Sequence, residues 1–203
     1  MPKILSITFV LFFITYHCSV AQENEAKTLL GKQGDISVKD LGLFISPAIG
    51  ITQFDGASAS LLQLRGGINI KDKISIGAFF NTSLNQVVPV SETVPGIYMD
   101  YQTAGGFVEY TLFSKKMVHF SFPLSIGWGE VQMDRENGPS DLGEANFLQV
   151  EPAALLELNL QKHVRFHIGA SYRFVSKVNY RNFTEAELSG LNAFAGLRIG
   201  LFR

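Results

Sequence analysis

Val164-Arg165-Phe166-His167-Ile168-Gly169-Ala170-Ser171-Tyr172-Arg173-Phe174 alternates apolar residues with small or ionic ones without a break. Successive side chains of a β-strand point to opposite faces, so this stretch is a strand with one greasy face and one polar face. Which face meets the surroundings decides the fold. A soluble sheet hides the greasy face, and a membrane barrel turns it outward.

Seven further stretches carry the same alternation, near 40–51, 59–70, 73–84, 100–113, 117–129, 146–160 and 190–202, and the quoted strand extends over about 163–177. The most explicit is Val118, Phe120, Phe122, Leu124, Ile126 and Trp128. Pro47 falls inside the first strand and predicts a bulge or local distortion, because proline has no N–H for the ladder. The lysines avoid every strand body. They sit in the first 39 residues, in the short turns (Lys71, Lys73, Lys115, Lys116, Lys162) or at a strand end (Lys177). The polar faces hold mainly Gly and Ser, among them Gly42, Ser46, Gly67, Gly77, Gly105, Ser125, Gly127, Gly169 and Ser171. Small residues suit the crowded interior of a narrow closed barrel, and unbroken Leu, Ile, Val and Phe suit lipid contact. The pattern predicts an all-β, eight-stranded, antiparallel up-and-down transmembrane barrel, apolar outside and polar inside.

Composition agrees. The 203 residues fit one domain, and a formal charge of −1 gives no electrostatic case for nucleic acid. The long apolar run is at the start. Lys3 followed by Ile4 to Tyr16 and then Ser19-Val20-Ala21 reads as a signal peptide over residues 1–21, with cleavage before Gln22. Residues 22–37 then form a polar periplasmic lead, and 38–203 the barrel. The single cysteine, Cys18, leaves with the signal. A retained anchor fits less well because the apolar core is short for a span. A lipoprotein anchor at Cys18 fits less well because Tyr16 and His17 are bulky where that pattern wants small residues.

Short connections at Lys71–Lys73, Ser114–Lys116 and Gln161–His163 alternate with longer ones at 85–99, 130–145 and 178–189 and a brief one near 52–58. Short turns on one rim and longer loops on the other put both termini in the periplasm. Ser171-Tyr172-Arg173-Phe174 and the closing Gly196-Leu197-Arg198-Ile199-Gly200-Leu201-Phe202-Arg203 resemble the small eight-stranded outer-membrane β-barrel proteins of the outer-membrane β-barrel-domain type. The resemblance implies a place in the outer membrane of a Gram-negative-type bacterium, with outer-membrane lipid as surroundings. It also implies barrel-assembly machinery as a partner during insertion, reading a terminal aromatic. In this chain Phe202 is penultimate, followed by Arg203.

Two sets of residues stand out as sites. Tyr110, Phe120, Trp128 and Tyr172 lie in the outward phase near strand ends, where a membrane barrel carries its aromatic girdles. Arg65, Glu109, Glu151, Glu157, Arg165, His167, Arg173 and Arg198 lie in the inward phase. If the Gln161–His163 turn closes with Leu160 opposite Val164, Glu151 faces Arg173 and Glu157 faces His167 across the strands. Confined charges are costly unless paired, so these residues predict an ionic network that fills the lumen in place of an open pore.

No catalytic, cofactor or metal site is predicted. His167, Glu157 and Ser171 invite a hydrolase reading, yet Ser171 lies four residues from His167 on one strand, roughly 13 Å away and beyond hydrogen-bond reach. His119, also inward, has no acidic neighbour on its own strand. The long-loop rim carries Asp55, Glu92, Asp100, Glu130, Asp134, Glu136, Asp141, Glu144, Glu185 and Glu187 against Arg135, Lys177 and Arg181. Such acids could gather divalent cations, although their spacing matches no calcium loop. The reading favoured is a monomeric, non-enzymatic outer-membrane barrel with a structural or surface-interaction role. The alternatives are a narrow transport or binding barrel for a small or hydrophobic solute, a lipid-modifying enzyme, and a soluble lipocalin-like barrel.

Overall fold

The computed structural model describes residues 37–135, 143–176, 178 and 184–202. Eight strands, β1 (Leu41–Phe54), β2 (Ala57–Ile70), β3 (Ile74–Ser83), β4 (Ile97–Leu112), β5 (Val118–Arg135), β6 (Glu144–Gln161), β7 (Val164–Ser176) and β8 (Gly190–Gly200), follow one another around a closed barrel. Every neighbouring pair is antiparallel, and β1 closes on β8 through pairs such as Phe44–Gly200 and Thr52–Asn192. A one-turn helix, α1 (Glu185–Leu188), precedes β8. A 3-10 turn (Val38–Asp40), capped by Ser37, leads into β1. The expected signal peptide and all but the last residue of the lead lie outside the described residues, as do Glu136, Asp141, Lys177, Arg181 and Arg203.

The expected orientation holds. In β1 the odd-numbered residues from Leu43 to Gln53 are exposed, Leu43 by 63%, while Phe44, Ser46, Ala48, Thr52 and Phe54 are buried. Phe122, Leu156 and Ile168 face out; Glu151 and Arg173 are buried. The outward apolar series of β1 runs over the ten residue steps from Leu41 to Ile51. At the rise and tilt of barrel strands these steps give a band about 25 Å tall.

Above that band the polarity inverts while the alternation keeps its phase. On β4, β5 and β6 the outward residues become Gln102, Glu130 and Asn146, and the inward ones become Met99, Tyr101, Val131, Met133 and Phe147. The strands therefore continue where loops were expected, β4 starting at Ile97 and β5 ending at Arg135. The supposed loop near 52–58 is a two-residue turn, Asp55–Gly56, both in the left-handed region with φ of 45° and 74°. Such primed turns match the twist of a hairpin.

Pro47 produces no register shift. The β1–β2 ladder runs through Pro47–Leu64, and on the β8 side pairing pauses at Ser46 and Pro47 and resumes in the same frame at Ala48–Gly196. A missing donor costs a ladder bond on one side and leaves the spacing intact. The bulge lies elsewhere, between Asn159 and Gln161, so the β6–β7 turn closes with Gln161 opposite Val164 and not Leu160.

Candidate functional site: the barrel interior

The interior is stacked in layers, and each layer follows from which inward residues the registers bring to one height. At the short-turn mouth, Lys71 and Asp72 take positive φ in a primed turn, which tucks the Asp72 carboxylate inward. It accepts from Asn69 Nδ2 at 3.0 Å and from Arg165 Nη2 at 3.3 Å. The Arg165 guanidinium lies 3.7 Å from the centre of the Phe202 ring, a stacked cation–π contact.

Next comes the ionic belt. Arg198 of β8 reaches across the barrel and donates from both terminal nitrogens to Glu109 of β4, at 2.6 and 2.7 Å. Its Nη1 also lies 3.0 Å from Glu157 Oε1. Glu157 in turn pairs with His119 Nε2 at 2.9 Å and stands 4.0 Å from Arg165. Every member of this belt is almost fully buried. Phe44, Phe79 and Phe107 pack together beside it with Phe202, and Arg198 stacks over Phe44.

Higher up, Glu151 accepts from Ser171, from Gln149 Nε2 at 2.6 Å and from Asn192 Nδ2 at 3.4 Å. Arg65 and His167 flank the Phe194 ring. Arg173 of β7 donates to Thr52 of β1 and to the Leu188 carbonyl of α1, with Phe54 and Tyr101 rings against its guanidinium. Above it an apolar cluster fills the long-loop end: Phe54, Leu61, Ile97, Met99, Tyr101, Val131, Met133 and Phe147 from the strands, sealed by Val87, Val178 and Leu188 from the connections. Val87 is tied in by a bridge to Met99.

All eight residues expected in the lumen are buried there, but the partners differ from those expected. Glu157 and His167 do lie opposite, yet Glu157 bonds to His119 and forms an ion pair with Arg198. Glu151 and Arg173 lie in the frame expected for them, but Glu151 bonds to Ser171, Gln149 and Asn192, while Arg173 turns upward to Thr52 and α1. The reason is geometric. In so narrow a barrel a long side chain reaches the opposite wall as readily as its neighbour. Asp72 is the residue that sequence reasoning assigned to the turns; with it, among the described residues, four buried carboxylates (Asp72, Glu109, Glu151, Glu157) balance four buried arginines (Arg65, Arg165, Arg173, Arg198). His119 was left without an acid because its partner is on β6, and the long 130–145 segment hid the β5–β6 register.

The four aromatics expected at the boundaries all face out, Trp128 most of all at 72% exposure. Tyr110 and Phe120 lie toward the short-turn end, and Trp128 and Tyr172 toward the long-loop end. Among the rim acids, Asp55 accepts from Ser91 N–H, Glu92 from Val94 N–H and Glu187 from Thr184, so these brace their own segments. Among the described residues no group of three or more His, Cys, Asp or Glu side chains could hold a metal ion. Ser171 donates to Glu151 and accepts from Asn192.

The architecture is that of small eight-stranded outer-membrane barrels. It is similar to Neisserial surface protein A, with a TM-score of 0.56 and 13% identity over 79% of this chain and 96% of that one. OprG from Pseudomonas aeruginosa matches with a TM-score of 0.48 and 10% identity over 81% and 97%. The N-terminal barrel domain of Pseudomonas aeruginosa OprF gives 0.47 and 9% over 78% and 97%. At such identities the likeness to Neisserial surface protein A establishes the shared barrel fold. No protein-family model matches the chain, and no curated protein does.

Proposed function

We propose that this chain is a non-enzymatic outer-membrane barrel that serves as a sealed scaffold and acts through the surfaces at its rims. The observation that carries the reading is the stacked interior: an ionic belt crossed by Arg198–Glu109, a phenylalanine layer, and an apolar stopper at the long-loop end. A pore needs a continuous wet path. Here side chains from opposite walls meet at three levels. The outward apolar band, about 25 Å tall, supports residence in a bilayer. An ionic interior on this scale is costly to desolvate, so its retention fits a role in fixing one register of a small barrel.

Planar-bilayer recording tests the seal. The folded monomer is expected to show no sustained conductance, and a stable wide conductance overturns the sealed lumen. Heat-modifiable migration of the membrane fraction tests the bilayer-embedded barrel separately.

A second reading has its own observation. A hollow of about 790 Å³ opens on the outer wall below α1, where Ala170 and Ala193 stand among Ile51, Tyr172 and Leu191. A binding barrel that takes a hydrophobic solute through its wall would use this hollow. Filling it with Ala193→Leu distinguishes the two readings, since only solute binding would suffer.

A further inference from the structure

On the outer wall of β3 to β6 two rows lie one above the other. The lower row is Phe80, Ala104, Trp128 and Leu148; the upper row is Thr82, Gln102, Glu130 and Asn146. The change from apolar to polar falls between them, at the top of the apolar band. Ala104 leaves a depression of about 210 Å³ beside the Trp128 ring, bordered by Phe80, Gln102, Glu130 and Asn146. Trp128 and Glu130 are two apart on β5, so the indole and the carboxylate share one face.

The charge on this face has one sign. Above Trp128 the outward positions of β4, β5 and β6 carry Asp100, Glu130, Asp134 and Glu144, and no lysine or arginine stands among them in the described chain. An anionic headgroup without a positive group would be repelled. An ammonium would meet the indole face, the Glu130 carboxylate and two side-chain amides together, a combination that recognises alkylammonium groups. A soluble amine would gain nothing from the apolar step below. A lipid would, because its upper acyl chain would lie in the depression over Ala104 and against Phe80.

We propose that the Trp128–Glu130 ledge is a docking site for the ammonium-bearing headgroup of a lipid in the leaflet at the long-loop rim. The indole then does more than anchor the barrel at the interface. It selects, with Glu130, which lipid stands beside β4 and β5. The proposal rests on the bilayer residence argued under Proposed function.

Trp128 is the sole tryptophan of the chain, so its emission reports this site alone. The full chain is refolded into phosphatidylglycerol vesicles containing, as a minor component, either phosphatidylethanolamine or phosphatidylglycerol with brominated acyl chains, which quench indole on contact. The ethanolamine lipid is expected to quench about two- to fivefold more effectively, the enrichment that an exposed cation–π contact supports. Glu130→Gln should abolish that preference, and Glu144→Gln, further from the ring, should keep it. Equal quenching by both lipids in the unaltered protein, or a preference that survives Glu130→Gln, overturns the proposal. Quenching by neither lipid would instead overturn the bilayer reading. The comparison of lipids needs no variant, so a variant that fails to fold leaves the test standing.

Discussion

Arg198 and Glu109 stand on opposite walls of the barrel, β8 and β4, and meet in the lumen through two hydrogen bonds of 2.6 and 2.7 Å. The pair acts as a strut, because neither side chain satisfies its charge along its own wall. A buried charge stripped of its partner is far costlier than a buried pair. Glu109→Gln is therefore expected to destabilise the folded barrel by about 3–5 kcal/mol. Replacing both, Glu109→Leu with Arg198→Met, should recover much of that loss even though the strut is gone. Denaturant unfolding of the refolded proteins checks this. A double variant as unstable as the sum of Glu109→Leu and Arg198→Met would mean that the two residues are uncoupled, and would overturn the strut.

Gly105 and Gly127 face each other across β4 and β5, and their backbones approach more closely than a Cβ permits. A Cβ on Gly105 would lie 2.5 Å from Gly127 Cα and closer still to the Ile126 carbonyl. One residue along, Gly106 points outward and its nearest neighbour, the Gly77 carbonyl, would be 3.6 Å from a Cβ. Gly105→Ala is expected to cost about 1–3 kcal/mol through backbone displacement. Gly106→Ala should be close to neutral. The two variants differ only in which side of the wall receives a methyl, so their unfolding midpoints measure the close approach directly.

The alternation of Val164 to Phe174 was enough to read the wall, because period two is a local property of the chain. So was the inward set, from Arg65 to Arg198, since phase alone assigns a face. What phase cannot give is reach. His119–Glu157 depends on the register between β5 and β6, which a long connection leaves open, and Arg198–Glu109 spans four strands. The tops of β4 to β6 escaped for a different reason. Met99, Tyr101, Val131 and Met133 continue the inward phase but are apolar, so an outward-apolar pattern reads the strands as ending at the boundary. A search for alternation of either polarity, with phase held fixed, would have found them.

The stopper depends on α1, whose Leu188 is fully buried in it and whose Leu188 carbonyl receives Arg173. The Thr184 hydroxyl and N–H donate to Glu187, and these bonds hold its carboxyl below the usual carboxylate range. A depressed folded pKa contributes stability that is present above the unfolded value and is lost as pH falls through the folded one. Protection of the Ala186 to Leu188 amides, their exchange relative to that of an unstructured chain at the same pH, should therefore fall below about pH 4, the ordinary carboxylate range, with little change above it. Glu187→Gln should bring fast exchange at neutral pH. Exchange in α1 that ignores both changes would mean that Leu188 packing alone holds the helix.

Leu124 lies in the middle of the outward series of β5, and Gln132 lies on the same face beyond the inversion of polarity at Trp128 and Glu130. If acyl chains surround the first and water the second, one substitution should have two different costs. Leu124→Arg is expected to lose about 2–4 kcal/mol of folding free energy in bilayers, the price of a guanidinium near the midplane. Gln132→Arg should lose no more than about 1 kcal/mol, as at an interface. The contrast rests on depth alone, because both residues sit outward on one strand and their backbone pairing is regular. Equal costs at the two positions would place both in one medium, and the band from Val118 to Trp128 would then have to be covered by something other than lipid.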